Sequence, residues 1–478
     1  MFQCKLRPNL SFANVSGNIK LTVVLVMALV NTVCVVVSIG LIKLSLGDVF
    51  SYTNMGYGNN QYGIKTAYFW THPGKGLVKN RLMQITIGGR TCNAVHVNVV
   101  ARHGARYTGL KDMRSFTFLQ RKLKNNFSNQ NYNFINDWVN NYPEEKAEQL
   151  TALGRREMAY LGKYFGTELF DLLKGTLGVD GTPKFLNFTA THKVRTQNSV
   201  KFLYSGLADI LVGQNSTNIN PKIRDDILRF YDNCKKYEHD IADRSEILKF
   251  ENGPKFQKML GDITKRLGAN VSLSIGDAKV LYVLCATELA IMNKADWCTL
   301  LTEDDREVLE YDKDIEEYLI KLYAHPVVGQ MSCPLAKAAF TDMDSAIAAN
   351  DLGSSYTKGI FQVGHTDTVV DLATGLGLFK DADAIRAGNY EAMKNRTFRA
   401  STHDTFSSHL AFILYNCGGS GADNYALKLV YNGKPVTIPK CNSETCWYRD
   451  FRLGYKHFID DCDWNKVCSV NDGQPIVG

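Results

Sequence analysis

Three residues suited to phosphate chemistry lie within five positions of one another in the stretch ARHGARYTG at 101–109. Arg102 and Arg106 can each give paired, charge-assisted hydrogen bonds to phosphate oxygens, and the His103 imidazole can attack phosphorus as a nucleophile. Gly104 permits close backbone approach. The alternative is a solvated turn with an incidental histidine. The spacing, directly after an apolar run, favours a phosphate site.

Two further strings pair a histidine with an aspartate. VGHTDT at 363–368 contains His365 and Asp367, and ASTHDTF at 400–406 contains His403 and Asp404. Enzymes accelerate phosphate monoester hydrolysis by up to about 10²¹-fold, of which a general acid supplies only ~10²–10⁴. The reaction therefore needs a nucleophile and several fixed cations as well as an acid, so a His–Asp pair alone is insufficient.

Strands and helices alternate around these strings. Short β-branched runs predict strands in AVHVNVVARHG, KFLNFTA, KGIFQVG, HLAFILYNC and YALKLVYNG, and helical apolar spacing predicts an amphipathic helix over 150–173. A mainly helical stretch from about 205 to 350 interrupts the alternation. The pattern predicts an α/β fold, with a mostly parallel central sheet flanked by helices and an inserted α-helical domain.

The position of each string relative to its strand separates the two aspartates. Ligands of open α/β sheets bind beyond the carboxyl ends of the strands. His365 follows its strand, as His103 does, and also begins a helix whose N-terminus favours anions. His403 and Asp404 precede HLAFILY, so a parallel strand would place them at the opposite edge. We therefore expect His403 and Asp404 to be structural.

The order of motifs resembles one known family. RHGARYT resembles the RHGxRxP signature of histidine acid phosphatases. The later segments LTALGRREM, RTQNS, RFYDNC, GPKFQKML, ADWC, GHTDT and ILYNC follow the order found in the multiple inositol polyphosphate phosphatases of that group. The resemblance covers most of the chain after about residue 85. It implies the histidine phosphatase fold and hydrolysis of phosphate monoesters through a phosphohistidine, without a metal or another cofactor.

The resemblance also implies roles for individual residues. His103 corresponds to the nucleophile, and Asp367 lies where many relatives have the glutamate of a His-Ala-Glu string, the acid. The residues that correspond to substrate-binding positions are Arg102, Arg106, Lys111, Arg195 and His365.

Two positions depart from the family pattern. Thr108 replaces the proline of the signature, which removes a fixed φ from the turn beneath the phosphate. Asp367 is one methylene shorter than the glutamate of close relatives, which increases the expected distance from its carboxyl to the leaving oxygen. We expect both changes to affect the reaction rate and the choice of which phosphate is removed more than the presence of activity.

The N-terminus predicts a route through the secretory pathway. Residues 21–42 form an uncharged, largely apolar run between Lys20 and Lys43, long enough to cross a bilayer. The preceding basic residues favour a cytoplasmic N-terminus. We therefore interpret the run as a type II signal anchor, with a cleaved signal peptide as the alternative. The catalytic part would then lie in the lumen or outside the cell.

Ten cysteines beyond the apolar run, without paired CxxC spacing, support an oxidising compartment. Five glycosylation sequons beyond the same run agree with it, at Asn126, Asn187, Asn215, Asn270 and Asn395.

The predicted organisation follows from these features. It comprises a cytoplasmic tail at 1–20, the anchor or signal peptide at 21–43, a linker and N-terminal extension at 44–84, an α/β phosphatase domain built from 85–204 and 351–478, and the inserted α domain at 205–350.

The function expected is hydrolysis of inositol polyphosphates, small polyanions of the phytate type. Alternatives are a broad-specificity histidine acid phosphatase, a membrane-anchored binding protein that has lost catalysis, and a phosphoglycerate mutase-like transferase. The presence of both the nucleophile and the arginines argues against loss of catalysis, and an anchor with disulfides argues against the transferase. The formal net charge is +7, and the sequence contains no clustered run of basic residues, so we expect no nucleic-acid partner.

Overall fold

A computed structural model of the chain describes residues 61–72 and 76–470. The predicted membrane anchor at 21–43 and the cytoplasmic tail lie outside these ranges. Within them, no helix combines the length and the apolar character needed to cross a bilayer.

One sheet organises the described part of the chain. Its strands are β1 Gln84–Ile87, β2 Arg90–Arg102, β3 Leu186–Ala190, β4 Lys222–Ile223, β5 Gly359–Gly364, β6 His409–Asn416, β7 Tyr425–Tyr431, β8 Lys434–Pro435 and β9 Thr445–Trp447.

Helices make up most of the remainder. The α-helices are α1 Tyr68–Thr71, α2 Leu110–Leu123, α3 Phe134–Asp137, α4 Ala152–Glu168, α5 Phe170–Leu173, α6 Val194–Val212, α7 Asp225–Leu228, α8 Lys235–Asp240, α9 Ser245–Glu251, α10 Pro254–Leu267, α11 Ile275–Met292, α12 Glu303–Lys321, α13 Pro326–Gln330, α14 Cys333–Asp351, α15 Thr366–Gly375, α16 Ala400–His403, α17 Tyr448–Gly454, α18 Lys456–Ile459 and α19 Trp464–Cys468. Short 3₁₀ turns lie at Gly63–Lys65, Gln130–Tyr132, Glu144–Lys146, Trp297–Leu300, Ala387–Asn389, Ala392–Asn395 and Ala422–Asn424.

The expected α/β class is confirmed, and the sheet itself is mixed. The strand order is β4-β3-β5-β2-β6-β7-β8, with β1 beside β2 and β9 beside β7. Pairing is parallel from β4 through β3 and β5 to β2. From β2 onward through β6 and β7 it is antiparallel. The prediction of a mostly parallel sheet therefore holds for one half only, because β6 and β7 form a hairpin.

Both faces of the sheet are covered, which explains why β2 is apolar almost throughout. Val97, Val99 and Ala101 pack with apolar side chains of α4 and α6 on one face. Val100 points to the other face and packs with side chains of α14 and α15. The alternation follows from the two-residue period of a strand. The packing of alternate residues on the two faces fixes the direction in which the end of β2 leaves the core.

Helices α4 and α6 are pressed together through glycines. A Cβ atom at Gly162 would lie 1.9 Å from the carbonyl oxygen of Leu203, and one at Gly206 would lie 2.0 Å from that of Ala159. Neither position has room for a side chain. This close packing fixes α6, whose first turn contains Arg195.

The stretch from β4 to β5 contains helices α7 to α14 and no further strand within the described residues. Its helical content agrees with the sequence pattern. The limits at 205 and 350, and the separateness of an inserted domain, stay predictions.

Five disulfides join the ten cysteines that follow the apolar run. They are Cys92–Cys417, Cys234–Cys468, Cys285–Cys298, Cys333–Cys462 and Cys441–Cys446. The pairing supports the expected oxidising compartment.

Candidate active site

The RHG loop leaves the sheet where β2 and β5 both end. Arg102 is paired with Gly364, the last residue of β5, in parallel register. The backbone N–H of His103 donates to the Gly364 carbonyl at 3.1 Å. The loop therefore lies at the carboxyl edge of the parallel strands, where open α/β sheets bind ligands.

Contacts around Gly104 keep the loop rigid. A Cβ atom at Gly104 would come within 2.3 Å of the Gly154 carbonyl oxygen, so only glycine fits against the start of α4. Glu157 of α4 accepts the Ala105 N–H at 2.7 Å and the Tyr68 N–H at 2.7 Å. Burial raises the pKa of Glu157 to about 7, and the two N–H donors oppose that rise. No pattern in the sequence indicated this role for Glu157.

His103 is arranged as a nucleophile. Its Nδ1 lies 2.9 Å from the carbonyl oxygen of Gly104, which can only accept, so Nδ1 bears the proton and Nε2 has a free lone pair. Burial, followed by the positive charge of Arg102, holds the pKa of His103 well below its usual range. The imidazole is therefore neutral and able to attack.

Arg102 is held by two separate parts of the chain. Its guanidinium donates to the carbonyl oxygen of Asp404 at 2.5 Å, to the Asp404 Oδ1 at 3.3 Å and to the carbonyl oxygen of Ile64 at 3.0 Å. It also lies over the ring of Phe406, 4.5 Å from the ring centre. These contacts fix the direction of the guanidinium before any ligand binds.

Arg106 and Arg195 bring two more cations to the same place. Burial, with the neighbouring Arg195, lowers the pKa of Arg106 to about 10. Arg195 donates to Glu148 Oε2 at 3.0 Å, and burial lowers its pKa. The buried Nε atoms of both residues have no hydrogen-bond partner among the described residues, as is also true of Arg102. Buried donors without acceptors, packed against one another, indicate a site for an anion.

His365 lies beside His103. Its ring centre is 5.6 Å from that of His103, and its Nε2 is 3.1 Å from Thr191 Oγ1. Its backbone N–H donates to Thr368 Oγ1 at 2.9 Å, which closes the start of α15. Burial and the nearby Arg195 depress the pKa of His365, so the ring is neutral.

Asp367 occupies the first turn of α15 and is partly exposed. The buried cation Lys321 interacts with it electrostatically. Burial would lower the pKa of Lys321, but Glu317, Asp367 and Asp404 outweigh that effect and raise it. The acid predicted from the sequence therefore lies beside a permanently charged lysine, on the helix that His365 begins.

Thr108 and Lys111 lie on either side of the first residue of α2. Lys111 is exposed in the first turn of that helix. Thr108, which replaces the family's proline, is buried and donates to Asp112 Oδ2 at 2.5 Å. The hydrogen bond anchors the turn that the proline ring would otherwise restrict.

The expected placement of His403 and Asp404 is wrong. Because β6 runs antiparallel to β2, with His409 opposite Ala101, its beginning lies at the carboxyl edge of the parallel strands. Asp404 is fully buried and forms an ion pair with Arg102. His403 points elsewhere, with its ring centre 4.2 Å from that of Phe379. Asp404 thus belongs to the site and His403 does not contact it.

Three cations near the site had escaped the sequence analysis. Lys65 lies in the segment assigned to a linker, Arg229 lies within RFYDNC, and Lys321 ends α12. Arg229 depresses the pKa of His365 through its charge, after burial and Arg195, and it contacts the His192 ring at 3.1 Å. Of the three cations, only Arg229 lies in a motif shared with the family, so only Arg229 could have been identified from the sequence.

Comparison with known proteins agrees with this geometry. A family model described as histidine phosphatase superfamily (branch 2) matches residues 95–432. Multiple inositol polyphosphate phosphatase 1 from Gallus gallus is 27% identical over 390 residues, covering 79% of this chain and 85% of that protein.

Two solved structures show the same fold. The phytase from D. castellii superposes with a TM-score of 0.67 at 15% identity, covering 88% of this chain and 90% of that one. The Bifidobacterium longum multiple inositol polyphosphate phosphatase in complex with inositol hexasulfate has a TM-score of 0.62 at 15% identity, over 84% and 98% of the two chains. With the RHG loop at the end of β2 and a family match over most of its length, the chain belongs to branch 2 of the histidine phosphatase superfamily.

Proposed function

We propose that this protein is a phosphomonoesterase that removes phosphate groups from inositol polyphosphates through a phosphohistidine at His103. The observation that carries the proposal is the neutral His103 ring, with Nε2 unprotonated, among cations whose buried Nε donors have no acceptor. The names of the relatives support the choice of substrate class.

The first step is attack of His103 Nε2 on phosphorus. The N–P bond forms as the P–O bond to the inositol carbon framework breaks, and the leaving oxygen takes a proton from Asp367. Arg102, Arg106 and Arg195 neutralise the charge on the transferring group, and His365 supplies a further ring nitrogen. The first turn of α15 adds the positive end of a helix.

Water completes the reaction. Asp367, now ionised, takes a proton from the water as its oxygen attacks phosphorus, and the N–P bond breaks to release inorganic phosphate. The proton on Nδ1 of His103 stays with the Gly104 carbonyl throughout, so the leaving imidazole returns to its starting tautomer. No step requires a metal or a redox partner.

Placement in the secretory pathway is part of the proposal. The five disulfides support it, as do the exposed side chains of Asn187, Asn215, Asn270 and Asn395 within their sequons. The type II anchor at 21–43 and a lumenal or extracellular catalytic domain complete the proposal.

The test is rapid-quench trapping with radiolabelled inositol hexakisphosphate and the full-length protein. We expect an acid-labile, base-stable phosphoprotein in the wild type and none in His103→Ala, whose turnover should fall by at least about 10⁴-fold. His457→Ala removes an exposed histidine in α18 and serves as the matched control. Equal labelling of His103→Ala and wild type would refute the mechanism. Turnover of simple monoesters without turnover of inositol hexakisphosphate would refute only the substrate.

A further inference from the structure

Residues 61–72, here called the N-terminal strap, lie against the groups that position the RHG loop. The Ile64 carbonyl accepts from Arg102 at 3.0 Å, and the Tyr68 N–H donates to Glu157 at 2.7 Å. Strap residues are also buried in the core rather than exposed as a linker would be. The strap therefore belongs to the wall of the site.

Lys65 is the charged residue that the strap brings to this wall. Its Nζ lies 3.6 Å from Asp112 Oδ2, and its side chain is 19% exposed. The other charged groups facing it are Arg102 and Arg106 of the RHG loop and Lys313 of α12. Asp112, the one carboxylate among them, also accepts from the Thr108 hydroxyl. Arg102 pairs with Asp404 and Lys313 pairs with Glu316 and Glu317, so Asp112 is the carboxylate that pairs with Lys65, at the longer distance of 3.6 Å.

The groups next to Lys65 are closer to solvent than Lys65 itself. Asp112, its partner, has a side chain that is 40% exposed, and the adjacent Lys111 is exposed. The transferring phosphate already has Arg102, Arg106 and Arg195 around it. A cation beside Arg106 and close to solvent is placed for a different phosphate of the same molecule.

We propose that Lys65 binds a second phosphate group of the substrate, next to the one attacked by His103. The inference rests on the proposed function, since only a substrate with several phosphates can use both positions. A simple monoester has no second phosphate that could contact Lys65. An inositol polyphosphate would place a neighbouring phosphate between Lys65 and the exposed side of α2, in competition with Asp112.

Proton uptake should accompany binding. Burial and then Arg106 lower the pKa of Lys65 to about 7, while Asp112 opposes them. At pH 8 the empty site therefore has Lys65 about one-tenth protonated. A bound anion favours the charged form and raises the pKa again. The ligand should then bind together with almost one proton, and more weakly as the pH rises above 7.

The first measurement compares two substrates. Lys65→Met should raise KM for inositol hexakisphosphate by about 10- to 100-fold, the usual cost of one charged hydrogen bond, and leave KM for p-nitrophenyl phosphate within twofold. Lys65→Arg should recover most of the loss. Lys258→Met, an exposed lysine paired with Asp262 in α10, is the control and should change neither substrate.

The second measurement is calorimetry at pH 8 with inositol hexasulfate, whose sulfates do not titrate near neutral pH. Heats in buffers of different ionisation enthalpy should give nearly one proton taken up by the wild type and almost none by Lys65→Met or Lys65→Arg. This measurement needs no turnover, so it tests Lys65 even if inositol hexakisphosphate is not hydrolysed.

Three results would overturn the inference while leaving the phosphatase function intact. One is an equal loss on both substrates, which would place Lys65 at the transferring phosphate. Another is an unchanged KM in Lys65→Met. The third is full proton uptake by a folded Lys65→Met, with folding checked by its melting temperature.

Discussion

The strings GHTDT and THDT contain the same residue types, yet the structure gives them different surroundings. Asp367 is partly exposed in the first turn of α15, beside Lys321. Asp404 is fully buried at the start of β6 and pairs with Arg102. Both carboxylates reach the same edge of the sheet, one at the end of a parallel strand and one at the beginning of an antiparallel strand. Strand direction therefore decides which edge a residue occupies, and exposure decides whether it can meet a substrate.

Replacement of Asp367 should have the largest effect of the three that test this comparison. Asp367→Asn should lower kcat for inositol hexakisphosphate by ~10²–10⁴-fold, because the alkoxide leaves poorly without a proton. The loss should be below about tenfold for p-nitrophenyl phosphate, whose leaving group needs no acid. Steady-state kinetics with both substrates is the measurement. The same leaving-group dependence in Asp404→Asn, and its absence in Asp367→Asn, would exchange the two roles.

Asp404→Asn should act on Arg102 and on stability. The Arg102 guanidinium keeps the carbonyl oxygens of Asp404 and Ile64, so we expect KM to rise less than about tenfold and equally for both substrates.

The stability of Asp404→Asn relative to wild type should depend on pH in a defined direction. Burial, opposed by Arg102, raises the pKa of Asp404 from 3.8 to about 6. A raised folded-state pKa contributes stability below about 4 that is lost as the pH rises through about 6. D404N does not titrate, so its melting temperature should rise relative to wild type between pH 4 and pH 7. A constant difference across that range would show that Asp404 stays ionised throughout.

His403→Ala should have the smallest effect on catalysis. The ring packs among Phe379, Phe398 and Tyr431, and its Nδ1 lies 3.3 Å from the backbone N and O of Arg399. Its loss leaves a cavity, and we expect the free energy of unfolding to fall by about 1–3 kcal/mol with kcat and KM within twofold of wild type. Denaturant unfolding and kinetics on the same preparation test this. A large fall in kcat in a folded variant would bring His403 back into the site.

Much of the site could be predicted because its chemistry is concentrated in short strings. The runs that end in RHG and GHTDT predict two strands of a parallel sheet, and the edge rule then places His103 and His365 at the carboxyl ends of those strands. The structure brings them to 5.6 Å between ring centres. Arg195 followed from the family resemblance, and the packing of α4 on α6 explains its position.

The errors share one physical origin. Nothing local in HLAFILYNC specifies whether the strand pairs parallel or antiparallel with β2, since that direction is set by pairing with a strand far away in the sequence. Lys65 was missed for a similar reason. A lone lysine in a Gly-, Tyr- and Asn-rich stretch has no periodic pattern, and its surroundings come from α2, α12 and the RHG loop.

The central place of β2 has a consequence for how the enzyme is made. The strand that ends at the RHG loop emerges early from the ribosome, yet Val97 pairs with Gly359 on one side and with Ile413 on the other. The apolar part of β2 lacks both neighbours until β5 has been synthesised and lacks one of them until β6 follows, so it is exposed to aggregation for much of synthesis. We therefore expect nascent chains that end before β6 to depend on chaperones and to be inactive, with phosphatase activity gained in one late step rather than by degrees.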